Sequence, residues 1–201
     1  MSAVFVYLAS GSPRRRALLA QIGVPFQVLG VTVDEGRLPG EAPDAYVLRL
    51  ARQKADAGWR ARPLGSASPV LAADTTVVLD GRILVKPGDR SDGERMLREL
   101  GGRTHDVLTT VAVATAQGLI SRTSRSEVTF RAISAAEAHD YWDTGEPHDK
   151  AGGYAIQGGA AVFVADLRGS YSGVMGLPLF ETAELLEEAG VPHWSWARDE
   201  H

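Results

Sequence analysis

The sequence predicts a mixed α/β fold, a twisted sheet flanked by helices. Helical and strand patterns interleave along the chain instead of segregating into blocks. Two hairpin signals, Asp80-Gly81 and Ala116-Gln117-Gly118, fall mid-chain, so the sheet is not a clean doubly wound one. The 201 residues, 44% of them hydrophobic, suffice for a sizeable core in one domain or two small lobes.

The elements follow in order. Residues 4–9 read as a buried first strand. Residues 13–22 read as a helix with Ala17, Leu18 and Ile22 on its apolar face, closed by Gly23 with Pro25 just beyond. Residues 26–33 return as a strand ending at the acidic pair Asp34-Glu35. Residues 42–60 are helical, with Tyr46, Val47, Leu50 and Ala51 facing inward. A connector rich in Pro, Gly and Ser leads to a largely apolar strand over 70–79, whose return strand covers 82–85. Residues 91–100 form a helix stopped by Gly101-Gly102, and 104–115 with 119–130 alternate as a long hairpin. Residues 134–142 are helical, with Ser134 and Glu137 spaced as a capping box. Turn-rich stretches at 145–159 and 169–176 bracket a strand over 161–167. Residues 178–189 form the closing helix of a single domain, and 190–201 read as a weakly ordered tail with two exposed tryptophans.

Composition narrows the function. A net charge of −4 argues against binding a nucleic-acid polymer through a basic surface, while leaving room for a small nucleotide held by a local cationic cluster. With no cysteine, disulfides, thiolate catalysis and zinc–thiolate sites are excluded. No apolar run approaches the roughly 20 residues that span a bilayer, and the N-terminal segment lacks the basic flank of a signal sequence. No membrane partner and a cytoplasmic setting are the expectation.

Three stretches carry chemistry. In Leu8-Ala-Ser-Gly-Ser-Pro-Arg-Arg-Arg16, a strand enters a small-residue turn and then a helix with Ser12 at its cap and Pro13 at its first position. Free N–H groups at a helix start favour an anion, and arginine forks match phosphate oxygens. Basic side chains there oppose the helix dipole, so a purely structural origin is less natural. An ordinary capped helix with a solvated first turn is the competing account of this segment. Asp74 interrupts an apolar strand, and a carboxylate in such a place sits at an edge or is buried with partners. Glu35, at a strand end, offers a second hard oxygen ligand of the kind magnesium takes. Lys86, at another strand end, is well placed to reach a phosphate; Lys54 alone reads as a surface lysine. The third stretch, Asp149-Lys-Ala-Gly-Gly-Tyr-Ala-Ile-Gln-Gly158, combines small residues with Gln157, whose amide can both donate to and accept from a base edge. The five histidines show no metal-site spacing, and P-loop and dinucleotide fingerprints are absent.

Together these residues resemble the Maf family of nucleotide pyrophosphatases, also called septum formation inhibitors. The matching blocks are residues 8–15, Ala72-Ala-Asp-Thr75 with Lys86-Pro87, Gly145-Glu-Pro147 with Asp149-Lys-Ala-Gly152, Tyr154-Ala-Ile-Gln-Gly158, Gly169-Ser-Tyr171, and Val174-Met-Gly-Leu-Pro178. They occur in family order over nearly the whole chain. The resemblance implies an inosine-triphosphate-pyrophosphatase-like fold with a cleft between two lobes, and hydrolysis of a nucleoside triphosphate to the monophosphate and pyrophosphate. It also implies a divalent metal, magnesium or manganese, and a homodimer. By motif, Asp74 is the general base and shares the metal with Glu35. Arg14, Arg15, Lys54 and Lys86 grip the triphosphate, and Ser10 and Ser12 contribute donors at the phosphate turn. Arg14, Thr75 and Gln157 are similar to the subgroup specific for dTTP and UTP. The family also suggests division arrest or nucleotide-pool sanitation. Two alternatives stay open: a pyrophosphatase for 7-methyl-GTP or another modified nucleotide, and a nucleotide-binding division regulator with little turnover.

Overall fold

The computed structural model describes residues 5–194 and is organised around one seven-stranded mixed sheet. Chain order runs β1 (Val6–Leu8), α1 (Pro13–Gln21), β2 (Phe26–Val28), α2 (Pro43–Ala61), β3 (Val70–Leu79) and β4 (Arg82–Leu84). It continues through α3 (Arg90–Leu100), β5 (Thr104–Thr115), β6 (Gly118–Phe130), α4 (Ala135–Asp143), β7 (Val164–Arg168), α5 (Tyr171–Met175) and α6 (Leu179–Glu188). The strand order is β2-β1-β3-β5-β6-β7, with β1 parallel to both β2 and β3 and the remaining pairs antiparallel.

The pairing of β3 creates the feature that matters for function. One of its edges is covered throughout by β5, from Val70 opposite Ala114 to Val78 opposite Asp106. The other edge is shared. Leu71 pairs with Leu8 of β1, and Val77 is the first residue to pair with β4. Among the described residues, 72–76 therefore have no strand neighbour on that side. Parallel strands that end beside such a gap leave a crevice at their carboxyl ends, and β1 delivers the chain into it at Ser10.

Side-chain alternation fills the rest. Along β3, Leu71 and Ala73 join the core beneath α1 and α6, whereas Val77 and Leu79, on the same face, join a second core with Leu97, Phe130 and Tyr141. Between them on this face lies Thr75, level with Thr109 of β5 and Ser124 of β6. On the opposite face, Val70 and Ala72 pack under Ala51 and Ala55 of α2, and the next residue is Asp74, level with Thr110 and Thr123. Two polar rungs, one per face, thus cross the sheet where apolar packing is interrupted. The Thr110 and Thr123 hydroxyls satisfy each other at 2.7 Å.

Most expected elements are found, the capping box of Ser134 and Glu137 included. The strand expected over 26–33 stops at Val28, because β1 is only three residues long. Its last rung is the Leu29 amide donating to the Leu8 carbonyl, after which the chain has no strand to lie against. Residues Gly159–Phe163 form a 3₁₀ turn, moving the expected strand at 161–167 to β7. The stretch 169–176 holds the short helix α5, capped by the Ser170 hydroxyl accepting from the Gly173 amide. In α1 the buried residues are Leu18 and Leu19, with Ile22 partly buried, and Ala17 faces out. The expected tail begins firmly: Val191 is buried in the α1–α6 core, and the Trp194 amide donates to the Ile22 carbonyl at 2.7 Å. Trp194 is exposed as expected; Trp196 lies outside the described residues.

Candidate active site

The open edge of β3 forms the floor of a cleft of about 580 Å³. All ten residues singled out from the sequence line it: Ser10, Ser12, Arg14, Arg15, Glu35, Lys54, Asp74, Thr75, Lys86 and Gln157. Arg16, the third arginine of its run, is exposed and does not line it.

The β1–α1 turn builds the basic wall. Ser12 stands at the helix cap position, but its hydroxyl makes no capping bond; its amide instead donates to the Ser10 hydroxyl at 3.2 Å. The expected cap is therefore corrected, and the Ser12 side chain is left to the cleft. Arg15 turns inward. Its guanidinium donates to the Gly176 carbonyl at 2.7 Å, to the Ser10 hydroxyl at 3.1 Å and to the Thr75 hydroxyl at 3.2 Å. Arg14 donates to the Met175 carbonyl at 3.3 Å. Burial lowers the Arg15 pKa, opposed by the attraction of Asp74, yet an arginine starts so high that it stays charged. Glycine suits this position because its φ is +117°, a backbone conformation that L side chains rarely adopt.

The hydroxyl order along this wall follows from proton counting. The Thr109 hydroxyl lies 2.7 Å from the Gly173 carbonyl and 3.0 Å from the Thr75 hydroxyl. A hydroxyl has one proton, and a carbonyl can only accept, so Thr109 serves Gly173 and Thr75 serves Thr109. Thr75 in turn accepts from Arg15. Its hydroxyl is fully engaged, and its place here is to hold the arginine.

The acidic side is built from α2 and β3. Lys54 projects from α2 and sets its Nζ 2.7 Å from Asp74 Oδ1 and 2.6 Å from Glu35 Oε1. The sequence reading of Lys54 as a surface lysine is thereby corrected: its side chain is only 15% exposed. Asp74 is buried, and burial raises its pKa against the opposing pull of Lys54 and Arg15. Glu35 is half exposed, and its hydrogen bond to Lys54 lowers its pKa. The two carboxylates sharing one ammonium are thus pushed in opposite directions by their different burial. The Glu35 loop is held by Tyr46, whose hydroxyl donates to the Glu35 backbone carbonyl at 3.0 Å.

The far wall is the segment after α4. Lys86 follows β4 at the other end of the open edge, and Asp149 and Lys150, ion-paired to each other, line the cleft beside it. Gln157 stands exposed at the tip of a tight turn closed by the Gly158 amide donating to the Ala155 carbonyl at 3.0 Å. The Tyr154 ring lines the cleft and is backed by His105, whose Nε2 lies 2.8 Å from the Tyr154 hydroxyl. His105 is therefore a packed structural histidine, in keeping with its incidental reading.

Sequence reasoning missed Thr109, Tyr46 and the carbonyls of Met175 and Gly176. Thr109 carried a usable signal, a polar pair inside Val107-Leu-Thr-Thr-Val111, the same anomaly that marked Asp74. The carbonyls carried none, since every residue has one.

No group of three or more His, Asp or Glu side chains that could hold a metal ion occurs among the described residues. Asp74 and Glu35 supply two hard carboxylates, the number magnesium commonly takes from protein when substrate phosphates and water complete its shell. The Lys54 ammonium sits between them on one oxygen of each, Asp74 Oδ1 and Glu35 Oε1.

Fold and site together define a small α/β protein whose cleft, rimmed by cations and floored by carboxylates, is shaped for a polyphosphate. The chain belongs to the Maf-like protein family, whose model matches residues 5–189. It is 57% identical over 190 residues to a dTTP/UTP pyrophosphatase of Saccharophagus degradans, covering 94% of this chain and 90% of that one. It is 52% identical over 201 residues to a protein of the same name from Aromatoleum aromaticum (93% and 96% covered), and 53% identical over 192 residues to one from Bordetella avium (92% and 96%). The solved Ham1 protein of Staphylococcus aureus is a more distant likeness, with a TM-score of 0.40 and 14% identity over 63% of this chain and 70% of that chain.

Proposed function

We propose that this chain hydrolyses dTTP and UTP to the nucleoside monophosphate and pyrophosphate, water attacking the α-phosphorus. The observation that carries the proposal is the arrangement of the cleft floor. A buried aspartate with a raised pKa lies beside a cationic wall, and relatives more than 50% identical bear the dTTP/UTP pyrophosphatase name.

In this reading Arg14, Arg15 and Lys86, with donors at Ser10 and Ser12, neutralise and orient the triphosphate, whose several negative charges otherwise repel an incoming water. Arg15 is the fixed point of that wall, because three acceptors hold its guanidinium before substrate arrives. Asp74 takes the proton of the attacking water, and its raised pKa makes it a stronger base than an ordinary aspartate. Lys54 keeps Asp74 ionised by supplying a positive charge in contact with it. Glu35 and Asp74 would hold the divalent cation, magnesium or manganese, and when bound it supplies further charge neutralisation on the triphosphate. Thr75 acts through Arg15, and Gln157 reads the base edge. The homodimer, the cytoplasmic setting and the absence of a nucleic-acid partner belong to the same proposal. No helix among the described residues is long and apolar enough to cross a membrane.

The test is pyrophosphate release from dTTP, UTP, CTP, GTP and 7-methyl-GTP, with and without magnesium or manganese. Metal-dependent release chiefly from dTTP and UTP is expected. Release chiefly from 7-methyl-GTP would overturn the base assignment, and tight binding without release would favour a regulator.

A further inference from the structure

Behind the Gln157 turn lies a pair of side chains that the catalytic reading leaves unused. The Tyr141 hydroxyl, on α4, donates to Glu146 Oε1 and accepts from the Ala155 amide at 3.2 Å. The same Glu146 carboxylate accepts from the Gly159 amide at 3.0 Å through Oε2 and from the Ala160 amide at 3.4 Å through Oε1. One tyrosine–glutamate pair therefore holds the backbone on both sides of Gln157, two residues before it and two and three residues after it. The fit is close: a Cβ on Gly158 would lie 2.0 Å from Glu146 Oε2, so only glycine leaves room for the carboxylate behind the turn. Gln157 itself is exposed to the cleft, and its position is set by its neighbours' backbone.

We propose that Tyr141 and Glu146 form a clasp that positions Gln157 for base recognition, and so set nucleotide specificity without touching substrate. The inference rests on the function proposed above. Neutral hydrogen bonds to backbone contribute about 1 kcal/mol each and those to a charged group more. Releasing one end of the clasp is enough to let the turn move by the fraction of an ångström that base selection depends on. The phosphate wall is built from other elements and does not share these contacts.

The experiment is steady-state kinetics with dTTP, UTP and CTP on the wild type, Glu146→Gln, Tyr141→Phe, Gln157→Ala and the double variant Glu146→Gln/Gln157→Ala. Inorganic triphosphate, which has no base, serves as competitive inhibitor. The expected result is an increase in KM for dTTP of about tenfold in either clasp variant, with a smaller loss of kcat and weaker discrimination against CTP. Inhibition by inorganic triphosphate should be unchanged, and the double variant should be no worse than Gln157→Ala alone. Additive losses in the double variant, or inhibition weakened in parallel with KM, would overturn the clasp's action through Gln157. Amide hydrogen exchange at Ala155, Gly159 and Ala160 reads the clasp independently of turnover: faster exchange in the variants is expected, and unchanged exchange overturns it. A wild type that turns over no triphosphate, with the exchange result as expected, would overturn the proposed function and leave the clasp as the holder of the turn. Tyr141→Phe serves if Glu146→Gln does not fold.

Discussion

Acid should weaken this protein in good part through one buried residue, His105, and its share is large enough to isolate. The imidazole is 3% exposed, set edge-on to Phe130 and Tyr154 at centroid distances of 5.0 and 5.4 Å. Its Nδ1 has no hydrogen-bond partner among the described residues. Burial pushes its pKa from 6.5 down to about 4, the nearby charge of Asp106 opposing the change only weakly. A depressed histidine pKa means that the unfolded chain binds the proton more tightly. The contribution to stability is fully present above pH 6.5 and is lost progressively as pH falls from there to about 4. The gap corresponds to about 3 kcal/mol in all, of which about 2.5 kcal/mol is gone by pH 4.5. For a chain of this length that is a fall in Tm of roughly 5 to 10 °C attributable to this group. The assay is thermal or urea unfolding of the wild type and His105→Gln at pH 7 and pH 4.5. Glutamine does not titrate, so the variant, weaker at pH 7, should lose about 2.5 kcal/mol less between the two pH values. If both proteins lose the same amount, His105 does not carry the acid sensitivity and the reasoning fails.

Four further outcomes are expected. Asp74→Asn should fold with a circular dichroism spectrum like the wild type and lose at least about a hundredfold in kcat under saturating magnesium; undiminished turnover would remove Asp74 from its role as base. The acid limb of kcat/KM should lie above 3.8, the ordinary aspartate value, because the base works ionised and burial raises its pKa. That displacement has the opposite sign for folding: it disfavours the native state as pH rises past the ordinary value, so Asp74→Asn should be at least as stable as the wild type at pH 8 by urea unfolding. Gly176→Ala should lower stability by about 1–2 kcal/mol and raise KM for dTTP, since its φ of +117° strains any L side chain and its carbonyl holds Arg15.

Residues whose type conflicts with their surroundings announced the site in the sequence. Asp74 inside an apolar strand, arginines at a helix start and a glutamine among glycines are each poor choices for packing alone, and all three reach the cleft. Strands long enough to show alternation were also legible, β3 and β5 with the bounds expected. What escaped depended on partners distant in sequence. Residues 29–33 have strand composition but no strand beside them, because β1 turns away after Leu8. Lys54 looked like any helix-surface lysine until β3 brought Asp74 beneath it. The short helix α5 was hidden because Tyr-Ser-Gly-Val-Met has little intrinsic preference for a helix, and its start is set by one serine cap.

The tie between Arg15 and the Gly176 carbonyl bears on how the protein is made. The two residues are separated by 161 positions, and Arg14 reaches across the same span to Met175. Much of the sheet can assemble while the chain is still being synthesised, but the arginines lack these carbonyl acceptors until residues 175 and 176 have left the ribosome. Under the proposed function, the wall that receives the triphosphate stays unfinished until then. In that reading, competence to hold a triphosphate arrives when α5 docks against the start of α1.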